Sequence, residues 1–310
     1  MIEAKHLTKR YGGKTAVDDL SFTVEPGVVT GFLGQNGAGK STTMRLLLGL
    51  DRPNQGEATI NGVHYRDLPQ PLAVVGALLE ARAVHTGRSA YNHLLCLAQT
   101  QGIGKRRVGE VVDLVGLHEV ARKRAGGFSL GMGQRLGIAA AMLGDPSVLI
   151  LDEPVNGLDP EGIVWIRDLM KHLASLGRTI FVSSHLMNEM AVTAEHLIVI
   201  GRGQLIADCS TEEFIDRSTE QTVLVRSPDA ERLGTVIAQE GGKVTNVEPG
   251  VLNVANLLAP RIGELAAAGG FVLHELAPQR GSLEAAFMDL TRDSVEYGTA
   301  ASLDTTGGAA

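Results

Sequence analysis

Gly34-Gln35-Asn36-Gly37-Ala38-Gly39-Lys40-Ser41 carries the spacing G-x-x-x-x-G-K-S/T, with Thr42 next in line. Glycines at those positions let successive backbone N–H groups curl around phosphate oxygens, and the helix expected after the loop turns its positive end toward them. In such a loop Lys40 reaches the outer phosphates of a nucleotide and the Ser41 hydroxyl ligates Mg²⁺. Farther along, Val148-Leu149-Ile150-Leu151 ends in Asp152-Glu153. A buried strand that delivers Asp152 to its C-terminal end can complete a Mg²⁺ shell, and Glu153 beside it can polarise an attacking water. The apolar run with its two carboxylates is a weak signal alone, and taken by itself a plain strand end explains it better. Behind a phosphate loop it becomes strong.

These residues need a scaffold, and the chain alternates strand and helix signals. Leu20–Val24 reads as an edge strand ending at Pro26-Gly27, and Val28–Leu33 as a strand emptying into the phosphate loop. Ser41–Leu50 reads as a helix, and Ala58–Ile60 before Asn61-Gly62 as a hairpin. Ser89–Val120 has helical periodicity, Val148–Leu151 and Thr179–Val182 read as buried parallel strands, and Glu161–Leu176 as the helix between them. That order predicts an α/β core with an inserted helical lobe. Beyond Phe214 the pattern predicts strands at Thr222–Val225, Lys243–Val247, Val251–Val254 and Phe271–Leu276. Helices are expected at Ala230–Gln239, Pro260–Ala268 and Ser282–Thr291. This βαββαβ-like order describes a small α+β domain, and the Ala/Thr/Gly-rich end is expected to be disordered.

In order, further segments join the first two. Tyr11 precedes the loop; Phe128-Ser129-Leu130-Gly131-Met132-Gly133-Gln134-Arg135, Asn156-Gly157-Leu158-Asp159 and Ser183-Ser184-His185 follow. Each is weak alone, and their joint order is highly specific. Over residues 2–215 the chain resembles the ATP-binding subunit of an ABC transporter. The resemblance implies a P-loop NTPase core of α/β class with an inserted helical subdomain at about 85–140 and edge antiparallel strands. It implies a nucleotide-binding domain at 1–215, leaving an accessory α+β domain at 216–295 and a tail at 296–310. ATP and Mg²⁺ are the cofactors so implied. Tyr11 would stack on adenine, His185 would hydrogen-bond the γ-phosphate, and Asp159 would cross a dimer interface. Ser129 and Gly131 would contact the nucleotide of a second copy, so that two subunits clamp two ATP molecules.

The signature segment has Leu130 where glycine is expected and Met132 where glutamine is usual. Glu80 stands where the family places a glutamine that helps hold the metal, so Glu80 joins Ser41 and Asp152 as an expected ligand. These departures are familiar in the drug and peptide-antibiotic exporters of the daunorubicin- and bacitracin-resistance type. The implied partners are a second ATPase subunit and a separate transmembrane permease, at the cytoplasmic face of the membrane. The alternative is a soluble ABC ATPase of the iron–sulfur assembly type, which would not be expected to carry an acidic C-terminal domain. A binding module with a dead site is a third possibility, opposed by the intact Lys40, Asp152, Glu153 and His185.

Composition agrees with such a protein. The 310 residues carry a net charge of −7, which argues against nucleic acid as the main partner. Residues 1–215 hold 21 basic and 22 acidic side chains, whereas 216–310 hold 7 and 13. Cys96 and Cys209 form no metal-ligand spacing and are expected to be buried, inert thiols in a reducing compartment. The N-terminal residues lack the apolar core of a signal peptide, and no apolar run reaches the roughly 20 residues of a membrane helix. Lys105-Arg106-Arg107 and Arg122-Lys123-Arg124 are either solvated helix ends or a surface for a membrane subunit or acidic headgroups.

Overall fold

The computed structural model describes residues 1–80, 83–218, 222–279 and 281–291. In chain order its elements begin with β1 (Ile2–Tyr11), β2 (Lys14–Val24), β3 (Val29–Leu33), α1 (Lys40–Leu47) and β4 (Gln55–Ile60). Next come α2 (Pro71–Val74), β5 (Val75–Leu78), α3 (Ala90–Thr100), α4 (Lys105–Leu114) and α5 (Leu130–Ala141). They are followed by β6 (Val148–Asp152), α6 (Pro160–Ser175), β7 (Thr179–Ser183), α7 (Met187–Thr193), β8 (His196–Gly201) and β9 (Gln204–Ser210). The remainder is α8 (Thr211–Ser218), β10 (Thr222–Arg226), α9 (Ala230–Gln239), β11 (Lys243–Glu248), β12 (Val251–Ala255), α10 (Ala259–Ala268), β13 (Glu275–Gln279) and α11 (Leu283–Thr291). Two compact units emerge: Met1–His185 with Ile198–Asp208, and Leu186–Leu197 with Cys209–Leu290.

The first unit is the expected α/β core. A six-stranded sheet has the order β5-β6-β7-β3-β8-β9, and β5, β6, β7 and β3 pair in parallel. Strands buried on both faces must be apolar throughout rather than alternating; β3 and β7 are buried over their whole length and β6 over all but Asp152. An antiparallel sheet, β2-β1-β4, supplies the edge strands. Phe22 of β2 packs 5.8 Å from Phe32 of β3 and 5.7 Å from Phe181 of β7, ring centre to ring centre. Phe32 and Phe181 are 4.9 Å apart. This buried trio joins the two sheets.

The inserted lobe is built of α3, α4 and α5. Ser89 caps α3 by accepting from the Asn92 N–H at 3.2 Å, which stops the preceding chain and fixes the helix start. On α4, Val108, Val111 and Val112 form the buried stripe. Arg107 at its start donates to the Met142 carbonyl at 2.8 Å and to the Leu143 carbonyl at 3.2 Å. Those are orphan acceptors just beyond α5, so this arginine is a buttress within the unit and not part of a free basic surface. Arg106 pairs with Glu110 one turn on.

The second unit contains the βαββαβ succession, β10-α9-β11-β12-α10-β13, as a four-stranded antiparallel sheet ordered β11-β12-β10-β13. Ala230, Leu233, Gly234 and Ile237 make the buried stripe of α9. They pack with Val223, Val225, Leu252 and Val254 of the sheet.

Several expectations need correction. Asn61 and Gly62 do turn the chain, with φ of 51° and 78°, but only an isolated bridge from Ile60 to Val63 follows. The partner of β4 is β1, not a hairpin neighbour. The last strand starts at Glu275 rather than Phe271, because the Phe271 ring packs back toward Gly269 and stacks with Arg232. Cys209 is buried, but Cys96 is half-exposed. The tail at 296–310 lies outside the described residues. No helix among the described residues is long and apolar enough to cross a membrane.

Removing one ring of the aromatic trio leaves a cavity that neighbouring strands cannot close. Phe181→Ala is expected to destabilise the first unit by about 3–5 kcal/mol, read as an earlier transition in urea unfolding.

Candidate functional site

The site lies where β3, β6 and β7 end, the carboxyl edge at which open parallel sheets bind ligands. Beyond β3 the chain turns through Gly37 and Gly39 at φ of 84° and 107°. A Cβ on Gly39 would stand 2.4 Å from the Ala16 carbonyl oxygen, so glycine is required there by both conformation and space. Gly34 is tight as well, with a Cβ position 2.8 Å from the Ile200 carbonyl oxygen. Gly39 is also the N-cap of α1; no side chain caps that helix and no acidic residue occupies its first turn. Its positive end therefore faces the loop uncompensated.

The Lys40 ammonium is mostly buried and donates to the carbonyl oxygens of Gly34 and Gln35, at 2.5 and 3.3 Å. Burial lowers its pKa from the ordinary lysine value, while the nearby Glu153 and Asp152 carboxylates oppose the shift. Ser41 Oγ donates to Asp152 Oδ2 at 2.8 Å. Asp152 Oδ1 accepts from the Ser183 hydroxyl, its register neighbour across the β6–β7 pairing. Ser183 in turn accepts from the Glu153 N–H at 3.0 Å.

Glu153 has a left-handed backbone, φ 51°, a conformation that costs a non-glycine residue about 1–2 kcal/mol. The conformation holds because its polar groups are met on every side. Besides the Ser183 contact, its carbonyl accepts from Gln134 Nε2 at 3.1 Å. Its carboxylate lies 2.7 Å from His185 Nδ1 and accepts from the His185 N–H at 3.3 Å.

Lys40, Ser41, Thr42, Asp152 and Glu153 line one cleft of about 410 Å³, together with Tyr11, Gln35, Asn36, Gly37 and Gly39. Ala38, within the loop, is buried. The oxygen pair of Ser41 and Asp152 suits a hard, oxygen-seeking cation such as Mg²⁺. Tyr11 is 48% exposed and its hydroxyl donates to Asp51 Oδ2 at 2.9 Å. Asp51 also accepts from Arg45 Nε of α1 at 2.7 Å. That guanidinium bond holds the Asp51 carboxyl below its ordinary pKa, and burial followed by the Asp51 contact raises that of the Tyr11 hydroxyl.

Glu80, Ser129, Gly131 and Asp159 do not line this cleft. Glu80 is exposed, two residues beyond β5. Ser129 caps α5, accepting from the Met132 N–H at 3.2 Å, and Asp159 caps α6, accepting from the Gly162 N–H at 2.9 Å. Asp51, Ser183 and Gln134 were given no individual role by sequence reasoning. Ser183 and Gln134 stand inside the quoted motifs, which was their only signal; Asp51 had none.

Comparison with known proteins bears on the chain as a whole. Residues 17–156 match the family model described as ABC transporter, and residues 221–284 match one described as a domain of unknown function, DUF8746. The uncharacterized ABC transporter ATP-binding protein YhcH of Bacillus subtilis (strain 168) is 37% identical over 302 residues, covering 96% of this chain and 97% of that one. The bacitracin transport ATP-binding protein BcrA of Bacillus licheniformis is 41% identical over 221 residues, covering 70% and 72%. Among solved structures, a dimeric bacterial ABC transporter cassette aligns with a TM-score of 0.63 at 23% identity, over 68% of this chain and 99% of that one. The last likeness concerns the fold, whereas the first extends nearly from end to end. This chain therefore belongs to the family of ABC transporter ATP-binding subunits and is an ABC-type ATP hydrolase.

Proposed function

We propose that this subunit works as an ATP-sandwich dimer and drives an exporter of drugs or peptide antibiotics, of the daunorubicin- and bacitracin-resistance branch. The membrane channel would be a separate permease, on whose cytoplasmic face the ATPase sits. The observation that carries the dimer is the division of the motif residues. Lys40, Ser41, Asp152 and Glu153 share a cleft that Ser129 and Gly131 do not line, so a second copy is needed to bring a signature segment to the nucleotide. The dimeric cassette of the same fold supports this arrangement, and the bacitracin transport relative supports the cargo class. We assign residues 1–215, with a helical subdomain at about 85–140, to nucleotide binding, and 216–295 to an accessory domain.

Tyr11 would receive the adenine ring, and residues Gly34–Lys40 the phosphates. Ser41 and Asp152 would hold Mg²⁺, with Glu80 brought to it as the subunits close; the ion neutralises phosphate charge. Glu153 acts as general base, taking a proton from the water that attacks the γ-phosphorus. His185, on the Glu153 carboxylate, orients that base and hydrogen-bonds the γ-phosphate once nucleotide is present. Ser129, Gly131 and Asp159 act across the dimer. The Ser129 oxygen is engaged as an acceptor by its own helix, and its hydroxyl hydrogen remains to be donated.

Two outcomes test this reading. Glu153→Gln is expected to lower turnover by at least about 100-fold and to accumulate a dimer in ATP–Mg²⁺, measured by light scattering after gel filtration; a variant that stays monomeric at saturation contradicts the model. Ser183→Ala removes the hydroxyl that orients Asp152. The Mg²⁺ concentration for half-maximal turnover is then expected to rise about tenfold or more, with nucleotide binding in the absence of metal little changed.

A further inference from the structure

The segment that caps α5 and the segment that carries Glu153 meet along one helix face. Leu130 lies over Gly157: a Cβ on Gly157 would be 2.4 Å from Leu130 Cγ. One residue on, a Cβ on Gly131 would stand 2.7 Å from the Gly157 carbonyl oxygen. Four residues after Leu130, and so on the same face, buried Gln134 donates to the Glu153 carbonyl. Arg135 extends the contact, donating to the Val115 carbonyl at 3.0 Å and lying 4.8 Å from the centre of the Trp165 ring on α6. The loop from Glu153 to Asp159 is thus seated on α5 at both ends.

Glu153 is the strained point of that loop. Its left-handed backbone is gripped on the N–H side by Ser183, and on the carbonyl side by Gln134 together with the loop's own Asn156 N–H at 3.2 Å. A buried amide aimed at a backbone carbonyl is a costly device unless the bond is made, and here it is made to the residue whose carboxylate must be aimed. Ser183 belongs to the central sheet, on the strand paired with the one that leads into Glu153. Gln134 belongs to the helical lobe, five residues after the capping residue Ser129 of the same helix.

We infer that Gln134 is a positioning residue for Glu153, tying the aim of the general base in one site to the position of α5, whose N-terminal end serves the partner's nucleotide. The inference rests on the assignment of Glu153 as the base. Each composite site would thereby sense the engagement of the other through a single amide–carbonyl bond within one chain.

The test compares Gln134→Met, which keeps the volume and removes the donor, with Gln134→Glu, which keeps size and polarity but presents an acceptor. Hydrogen exchange on the nucleotide-free full chain is expected to be about tenfold faster in the Glu153–Asp159 segment of both, with β6 and β7 unchanged. Turnover is expected to fall about tenfold, with KM for ATP within about twofold. In the Glu153→Gln background, Gln134→Met is expected to add no further loss. Unchanged exchange in the loop overturns the inference, as does equal acceleration through β6 and β7, which would mark Gln134 as core packing. A multiplicative loss in the double variant overturns it too. Should Glu153→Gln keep wild-type turnover, the assignment of the base has failed; should it lose turnover while Gln134→Met does not, only the role of Gln134 has failed.

Discussion

The parallel pairing of β6 with β7 sets Asp152 opposite Ser183, and the carboxylate meets there a hydroxyl that its own segment does not contain. The rest of the site is ordered outward from that pair. One oxygen of Asp152 is held toward Ser183, which leaves the other for Ser41 on the phosphate-loop helix. The same hydroxyl accepts from the Glu153 N–H, so the turn leaving β6 is fixed by the strand beside it. A register slip of one residue would turn Ser183 to the other face of the sheet and lose both of its contacts together.

The adenine end is tied to the phosphate end by a different route. Tyr11 lies at the end of β1, in the antiparallel sheet, yet its hydroxyl is bonded to Asp51, which Arg45 of α1 also holds. The helix that presents its N-terminus to phosphate therefore also anchors, through its last turn, the aromatic expected to carry the base. Both ends of a nucleotide would then be referred to one rigid element.

Much of this was legible in the sequence because motif chemistry requires fixed spacing. The phosphate loop, the β6 run ending in two carboxylates and the C-terminal βαββαβ order could all be read locally. What could not be read depends on pairings between distant segments. Asp152 and Ser183 meet only through strand register, and Gln134 meets the Glu153 carbonyl only because a helix crosses a loop. β1 escaped notice because its pairing with β2 shifts register repeatedly, and His6 and Asp19 have positive φ; such bulges break the period-2 alternation by which strands are recognised. The basic run at Lys105–Arg107 looked like surface charge because the carbonyls that engage Arg107 lie more than thirty residues away.

Trp165 is the only tryptophan in the chain, and it is half-buried beneath the Arg135 guanidinium. A cation over an indole face perturbs the excited state that lies across that ring, so the α5–α6 contact carries its own chromophore. Opening or closing at the Glu153–Asp159 loop would alter the separation of charge and ring, and hence the emission of an unlabelled protein. The helix pair that seats the catalytic loop is also its optical gauge.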